Sequence, residues 1–366
     1  MNIINCHTHI FNRDCVPDKF LPMWLRPIAN LLQSKKTARG LSKLVSFFGK
    51  NKLAMLIKKF HYFLAIGDLK SQLEIFKLLQ DFYPLGTKFC VLTMDMEYMG
   101  AGNVTKPFET QLRELAEIKR DPAYCDLIYP FIFIHPERPM LYTLVKHYIE
   151  TENFAGLKMY PPLGYYPFDK RLDLVFSYAE ENNIPVTTHC CRGGVYYKGE
   201  IKDTKHPITG KEAQRGKNKY LTDMYSDPYN YYYLLNKFPD LKLNLAHFGG
   251  YDEWEKYLSN TLVDTDGEVN WFTKVCDLVR SNPNVYTDIS YTLACKDLIP
   301  LLKTVLQDPQ FKKKVLFGSD FYLTELEESE REFGINLRAA LGQNDFKRIA
   351  EENPKAFLFH NKSNNL

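Results

Sequence analysis

Eight short, nearly unbroken apolar runs recur along the chain: Asn2–His9, Lys88–Met94, Leu127–His135, Ala155–Tyr160, Ile184–Cys190, Leu241–His247, Asn284–Ser290 and Lys314–Ser319. A strand covered on both faces has no polar side to show, so such runs predict buried parallel strands rather than a half-exposed sheet. Segments of helical period lie between them. Helices are predicted over Pro107–Arg120, Pro139–Thr151, Phe168–Asn183, Tyr229–Phe238 and Leu298–Gln307, with Glu332–Ala340 and Phe346–Phe359 following the last run. Strand and helix alternating through eight strands predict an α/β fold, a (β/α)8 barrel. A doubly wound open sheet is the competing arrangement, and neither a GxGxxG nor a Walker loop supports it.

Two stretches break the regular spacing. Residues 11–87 contain amphipathic segments such as Leu41–Phe63, whose basic face carries Lys43, Lys50, Lys52, Lys58 and Lys59. Binding to a membrane surface is one use of such a segment. A helical cap with solvated lysines is favoured, because the segment interrupts a barrel and is not a free tail. Residues 192–228 are polar and rich in Gly and Lys, a long loop after the fifth strand. Long loops at that end of a strand belong to the face where barrels carry their chemistry.

The chain's 366 residues are enough for two average domains or one barrel. The expectation is one domain, 1–366, with the cap inserted at 11–87. A net charge of +3 is small for this length and gives no reason to expect a nucleic-acid partner. Eight scattered cysteines lack the CxxC spacing of a structural zinc site. No basic stretch followed by an apolar one marks a secretory signal, and no apolar run has membrane-spanning length. A reduced, soluble, cytoplasmic protein is expected, acting on a small molecule; a homo-oligomer is compatible with insertions of this size.

The candidate chemistry sits at the ends of the runs. His7 and His9 are two apart, so in a strand both imidazoles face one space, a half-site for a divalent metal. Taken alone, the pair reads more readily as two partly exposed histidines in a terminal strand. Lys158, His189, His247 and Asp320 end the fourth, fifth, sixth and eighth runs, so four of the nine histidines fall at strand ends. Three imidazoles and a carboxylate suit Zn2+ with one position open for water. Arg192 is a candidate clamp for a substrate carboxylate, with a surface charge as the plain alternative. His135 and Asp95 follow strands and could reach the pocket mouth, and Tyr160, Tyr165, Tyr196 and Tyr197 could line it. Tyr231, Tyr232 and Tyr233 are expected to pack in a helix. Cys190 and Cys191 have no evident base partner, so they are not read as nucleophiles.

These pieces resemble the amidohydrolase superfamily of metal-dependent barrel hydrolases, in particular the branch that includes aminocarboxymuconate-semialdehyde decarboxylase. The matching segments are His7–His9, Gly156–Pro161, Pro185–His189, Ala246–Gly250, Phe317–Phe321 and Glu352–Leu358. They run in order along nearly the whole chain, leaving out 11–87. The resemblance implies that His7, His9, His189 and Asp320 hold one divalent metal, most often zinc, which activates water. It implies that Asp320 moves the proton and that His247 polarises a substrate oxygen or assists proton transfer. In some relatives the fourth-strand lysine is carbamylated and bridges two metals, with the sixth-strand histidine on the second. In this branch one metal is commoner, leaving Lys158 as a cation beside the substrate. Arg192, Tyr160 and His135, read from their own places in the chain, are the further candidate substrate contacts. The expected activity is hydrolysis of a small amide, lactone or ester. Metal-dependent decarboxylation of a carboxylated enol or dienol is the alternative, and a barrel that has lost catalysis and serves in binding is the third.

Overall fold

The computed structural model describes residues 1–20, 64–213, 218–263, 267–327 and 329–359. The basic segment Leu41–Phe63 lies outside the described residues. Each of the eight runs coincides with a strand, β5 and β6 running one and two residues past theirs: β1 (Ile4–Thr8), β2 (Lys88–Leu92), β3 (Ile128–Phe133), β4 (Gly156–Met159), β5 (Val186–Cys191), β6 (Leu243–Gly249), β7 (Val285–Asp288) and β8 (Val315–Leu316). The strands lie in chain order in one eight-stranded sheet, and every neighbouring pair is parallel. Backbone hydrogen bonds then join the two ends. The Cys6 amide donates to the Phe317 carbonyl and the Asp320 amide to the His7 carbonyl, both at 2.8 Å. The architecture is a (β/α)8 barrel.

Closure depends on Gly318. A Cβ there would lie 2.7 Å from His7 Cβ, so only glycine lets the end of β8 run this close to β1. The outer helices bury one stripe each. Phe108–Arg120, for example, buries Phe108, Leu112, Leu115 and Ala116, at the three- and four-residue spacing of one helix face. The helix Gln72–Gln80 falls inside the interruption at 11–87, yet it buries Ile75, Phe76 and Leu79 and sets Phe76 edge-on against Phe89 of β2. This part of the interruption therefore belongs to the outer helical layer and not to a cap.

Two helices between β6 and β7, Tyr251–Leu258 and Trp271–Ser281, are absent from the sequence expectation. The second had a legible start: the Asn270 side chain accepts from the Thr273 amide at 3.2 Å, a regular N-cap. At the C-terminal end, Glu330–Lys347 is kinked at Gly342 (φ 78°), between the two helices predicted there. A π-helical turn, Arg348–Glu352, then leads into Asn353–Leu358. Phe357 and Leu358 of that last helix pack with Ile4, Cys6, Cys90 and Leu316 in a small apolar cluster beside a much larger one. Among the described residues no helix is long and apolar enough to cross a membrane.

Candidate metal centre

β1 delivers His7, and the next residue but one, His9, lies just beyond its end; both side chains are buried. Asp320 arrives from the segment after β8, and its carboxylate stands 3.8 Å from His9 Nε2. Ligand atoms of His7, His9 and Asp320 all lie within 4.8 Å of one another. Each imidazole is fixed by its other nitrogen. His9 Nδ1 is 2.7 Å from the Leu92 carbonyl, which can only accept, so Nδ1 carries the proton and Nε2 keeps its lone pair. His7 Nδ1 likewise lies 3.1 Å from Asp288 Oδ2. His247 Nδ1 is 3.1 Å from the Ser290 carbonyl. This is how protein scaffolds orient histidines for a metal.

Asp288, at the end of β7, is the residue the sequence reading missed. It accepts from His7, from Asn244 Nδ2 at 2.7 Å, and from the backbone amides of His247 and Ser290 at 3.1 Å each. The Ser290 hydroxyl donates to it as well. Burial alone would raise its pKa, but the His7 imidazole and these hydrogen bonds hold the carboxyl well below the usual carboxylate range. The signal was present: Asp288 is the only charged residue in its apolar run.

A second group adjoins the first. Ligand atoms of His189, Cys191 and His247 also lie within 4.8 Å of one another. The His247 ring is 4.8 Å from both the His7 and the His189 rings, so it links the two groups. His189 stacks on Tyr160 at 4.3 Å, and the Tyr160 hydroxyl accepts from the Val195 amide. The structure thus gathers three of the four expected ligands tightly and sets His189 in the neighbouring group.

Electrostatics and backbone geometry match a site built for function. Burial lowers the pKa of His9 and His189 well below the ordinary value and that of His247 to about 3, so these imidazoles are neutral donors at neutral pH. Burial raises Asp320 and lowers Lys158 to about 8. Lys158 Nζ is fully buried with no hydrogen-bond partner among the described residues. His247 (φ 69°) and Asp320 (φ 61°) both hold the left-handed conformation that non-glycine residues avoid.

The remaining candidates are placed elsewhere. His135 lies between Tyr98, stacked at 4.4 Å, and Tyr165 at 4.8 Å, and it joins neither donor group. Asp95 is in a 2.5 Å ion pair with Arg138. Arg192 is 3.1 Å from Glu253 and rests over the Trp271 ring. It lines a cleft of about 900 Å3 over the ends of β5 to β8, together with Cys191, Gly194 and Tyr291. Tyr231 packs in a helix as expected, its hydroxyl 2.6 Å from Thr188.

The residues fit a divalent cation. The imidazoles of His7, His9 and His247 have Nδ1 committed and Nε2 left for a ligand, a carboxylate faces them, and a buried lysine stands nearby.

A search of curated proteins finds no match to this chain. Among solved structures, an uncharacterised barrel protein from Bordetella bronchiseptica is similar at 15% identity and TM-score 0.54, with 98% of each chain covered. 5-carboxyvanillate decarboxylase from Sphingomonas paucimobilis is similar at 13% identity and TM-score 0.51, with 98% of each chain covered. 4-oxalomesaconate hydratase from Rhodopseudomonas palustris is similar at 15% identity and TM-score 0.51, covering 97% of this chain and 95% of its own. At such identities these likenesses speak to the fold. Residues 119–359, from the helix before β3 to the last helix, match the sequence model of the amidohydrolases. Joined to a closed barrel with an HxH pair and a carboxylate at one mouth, that match decides the identity: the chain belongs to the amidohydrolase family of barrel enzymes.

Proposed function

We propose that the protein is a metal-dependent hydrolase of a small substrate bearing an amide, lactone or ester carbonyl. The observation that carries this is the buried convergence of His7, His9 and Asp320, with donor atoms within 4.8 Å, at the barrel mouth. His7, His9, His189 and Asp320 would hold one divalent ion, with Zn2+ preferred for a set of nitrogen and oxygen donors. When bound, such an ion polarises a carbonyl oxygen and makes water a better nucleophile near neutral pH. Asp320 takes the proton of the attacking water and returns it to the leaving group. His247, held through Nδ1 by Ser290, presents Nε2 to the substrate oxygen. Lys158 offers an unmodified cation, Tyr160 forms a wall, and Arg192 lines the cleft beside Cys191.

One observation favours a second reading. A buried ammonium without a partner among the described residues calls for an anion, and a carboxylated substrate would supply it. Decarboxylation on the same ligands would use Lys158 in that way, and a 5-carboxyvanillate decarboxylase shares the fold. The test is to load the protein with metal and offer it amides, lactones and esters beside carboxylated enols and phenols. Acid release from the first panel supports hydrolysis; CO2 from the second panel alone transfers the assignment to decarboxylation. Elemental analysis of protein purified without chelator should give about one ion per chain. A chain that stays metal-free after reconstitution loses both readings.

A further inference from the structure

We propose that the Cys191 thiolate is a metal ligand, so that β5 gives the centre a sulfur as well as the His189 nitrogen. The proposal rests on the metal-centre reading above. His189 and Cys191 are two residues apart in β5 and share one face of the strand. Cys191 Sγ lies 3.4 Å from His189 Nε2. Zinc holds sulfur at about 2.3 Å and imidazole nitrogen at about 2.0–2.1 Å, so two ligands of one ion at near-tetrahedral angles stand about 3.5 Å apart; added to His7, His9, His189 and Asp320, the thiolate would make the centre five-coordinate. The observed spacing, at which the two side chains hydrogen-bond directly, is also the spacing that a shared ion needs.

Three independent features support a ligand here. His247 lies within 4.8 Å of both, and its Nδ1 is tied to Ser290, so its Nε2 faces the same space, where the substrate oxygen would meet the ion. His189 is 4% exposed, and its Nδ1 has no partner among the described residues. Gly250 faces the thiol: a Cβ there would lie 2.8 Å from Cys191 Cβ, so glycine leaves room for the side chain. Cys190, next in the chain, is completely buried and points to the opposite face, which makes it the natural control.

Thiolate is a soft donor. Its presence would strengthen the preference for Zn2+ and Co2+ over Mn2+ and Mg2+. Binding requires the thiol proton to leave, and it passes to solvent through the cleft that Cys191 lines.

The experiment is a Co2+ titration of chelator-treated full-length protein, followed by absorption, with bound cobalt measured by elemental analysis. The wild type should develop a near-ultraviolet sulfur-to-cobalt charge-transfer band. Cys191→Ser should lose it and release Zn2+ to a competing chelator at least ~10-fold more readily, while Cys190→Ser keeps it. A measurement on the wild type alone guards against a variant that fails to fold: bound Zn2+ should protect the Cys191 peptide from alkylation. Cobalt bound without the band, a band that survives in Cys191→Ser, or an unprotected Cys191 overturns the sulfur ligand and leaves the nitrogen and oxygen centre standing. No bound cobalt at all overturns the metal centre, and this proposal with it.

Discussion

Asp288 and Asp320 are two buried carboxylates with opposite surroundings. Asp288 is saturated with donors, from His7, Asn244, Ser290 and two backbone amides, and so acts as a fixed anion that orients His7. Asp320 stands beside His9 with its pKa raised by burial, which suits a group that must take up a proton. Different losses follow. Asp288→Asn keeps the shape but removes the charge that fixes the His7 tautomer, so metal affinity should fall ~10–100-fold in chelator competition; unchanged affinity would show that His7 needs no such support. Asp320→Asn should keep part of the metal affinity while kcat drops ~10²–10⁴-fold. Full turnover with an unaltered pH profile in that variant would remove Asp320 from proton transfer.

Between elements, the site depends on how closely the strand ends approach. β8 is only two residues long, and it is the following Gly318 that lets its continuation pass beside His7. Gly318→Ala would put a methyl 2.7 Å from His7 Cβ and 3.3 Å from Ser290 Cβ. Both neighbours belong to the site, so the strain should cost ~1–3 kcal/mol and weaken metal binding together. Gly334, inside the helix Glu330–Lys347, has nothing within 4 Å of where its Cβ would stand. Gly334→Ala should therefore gain ~0.5–1 kcal/mol. Thermal melts of the two variants check the contrast, and equal shifts would mean that the contact at His7 relaxes freely.

Across the whole molecule, a buried polar chain ties the two ends of the sheet to the C-terminal helices. The Asn5 side chain donates to Ser319 at 2.8 Å and to Tyr83 at 2.9 Å, and Tyr83 donates to Glu330 at 2.5 Å. Burial raises the Glu330 pKa from 4.5 to about 8, partly offset by Ser319 and Tyr83. A raised carboxyl pKa means that between these values the folded chain holds a proton that the unfolded chain has lost. Stability should fall as pH rises from about 4.5 through about 8, by up to ~1.4 kcal/mol per pH unit, and then level off. Glu330→Gln keeps a neutral hydrogen-bonding group and should flatten that slope. Urea unfolding across this range measures it, and parallel curves for variant and wild type would remove Glu330 as the cause.

The eight strands, their order and most of the intervening helices were legible in the chain, because burial on both faces leaves an apolar run that no other element requires. The residues at the run ends were legible for a related reason: a histidine or aspartate ending an apolar strand has few structural uses. The helices Tyr251–Leu258 and Trp271–Ser281 escaped because they share one long β6–β7 connection whose polar and apolar residues mix. Strand parity could place His7 with His9, and His189 with Cys191, since each pair lies in or at the end of one strand. It could not place Asp288 against His7, across 281 positions of chain. Nor could it set the histidines into three overlapping donor groups. Those contacts exist only because the barrel closes and brings β7 and β8 beside β1, and closure is set by the packing of all eight strands together.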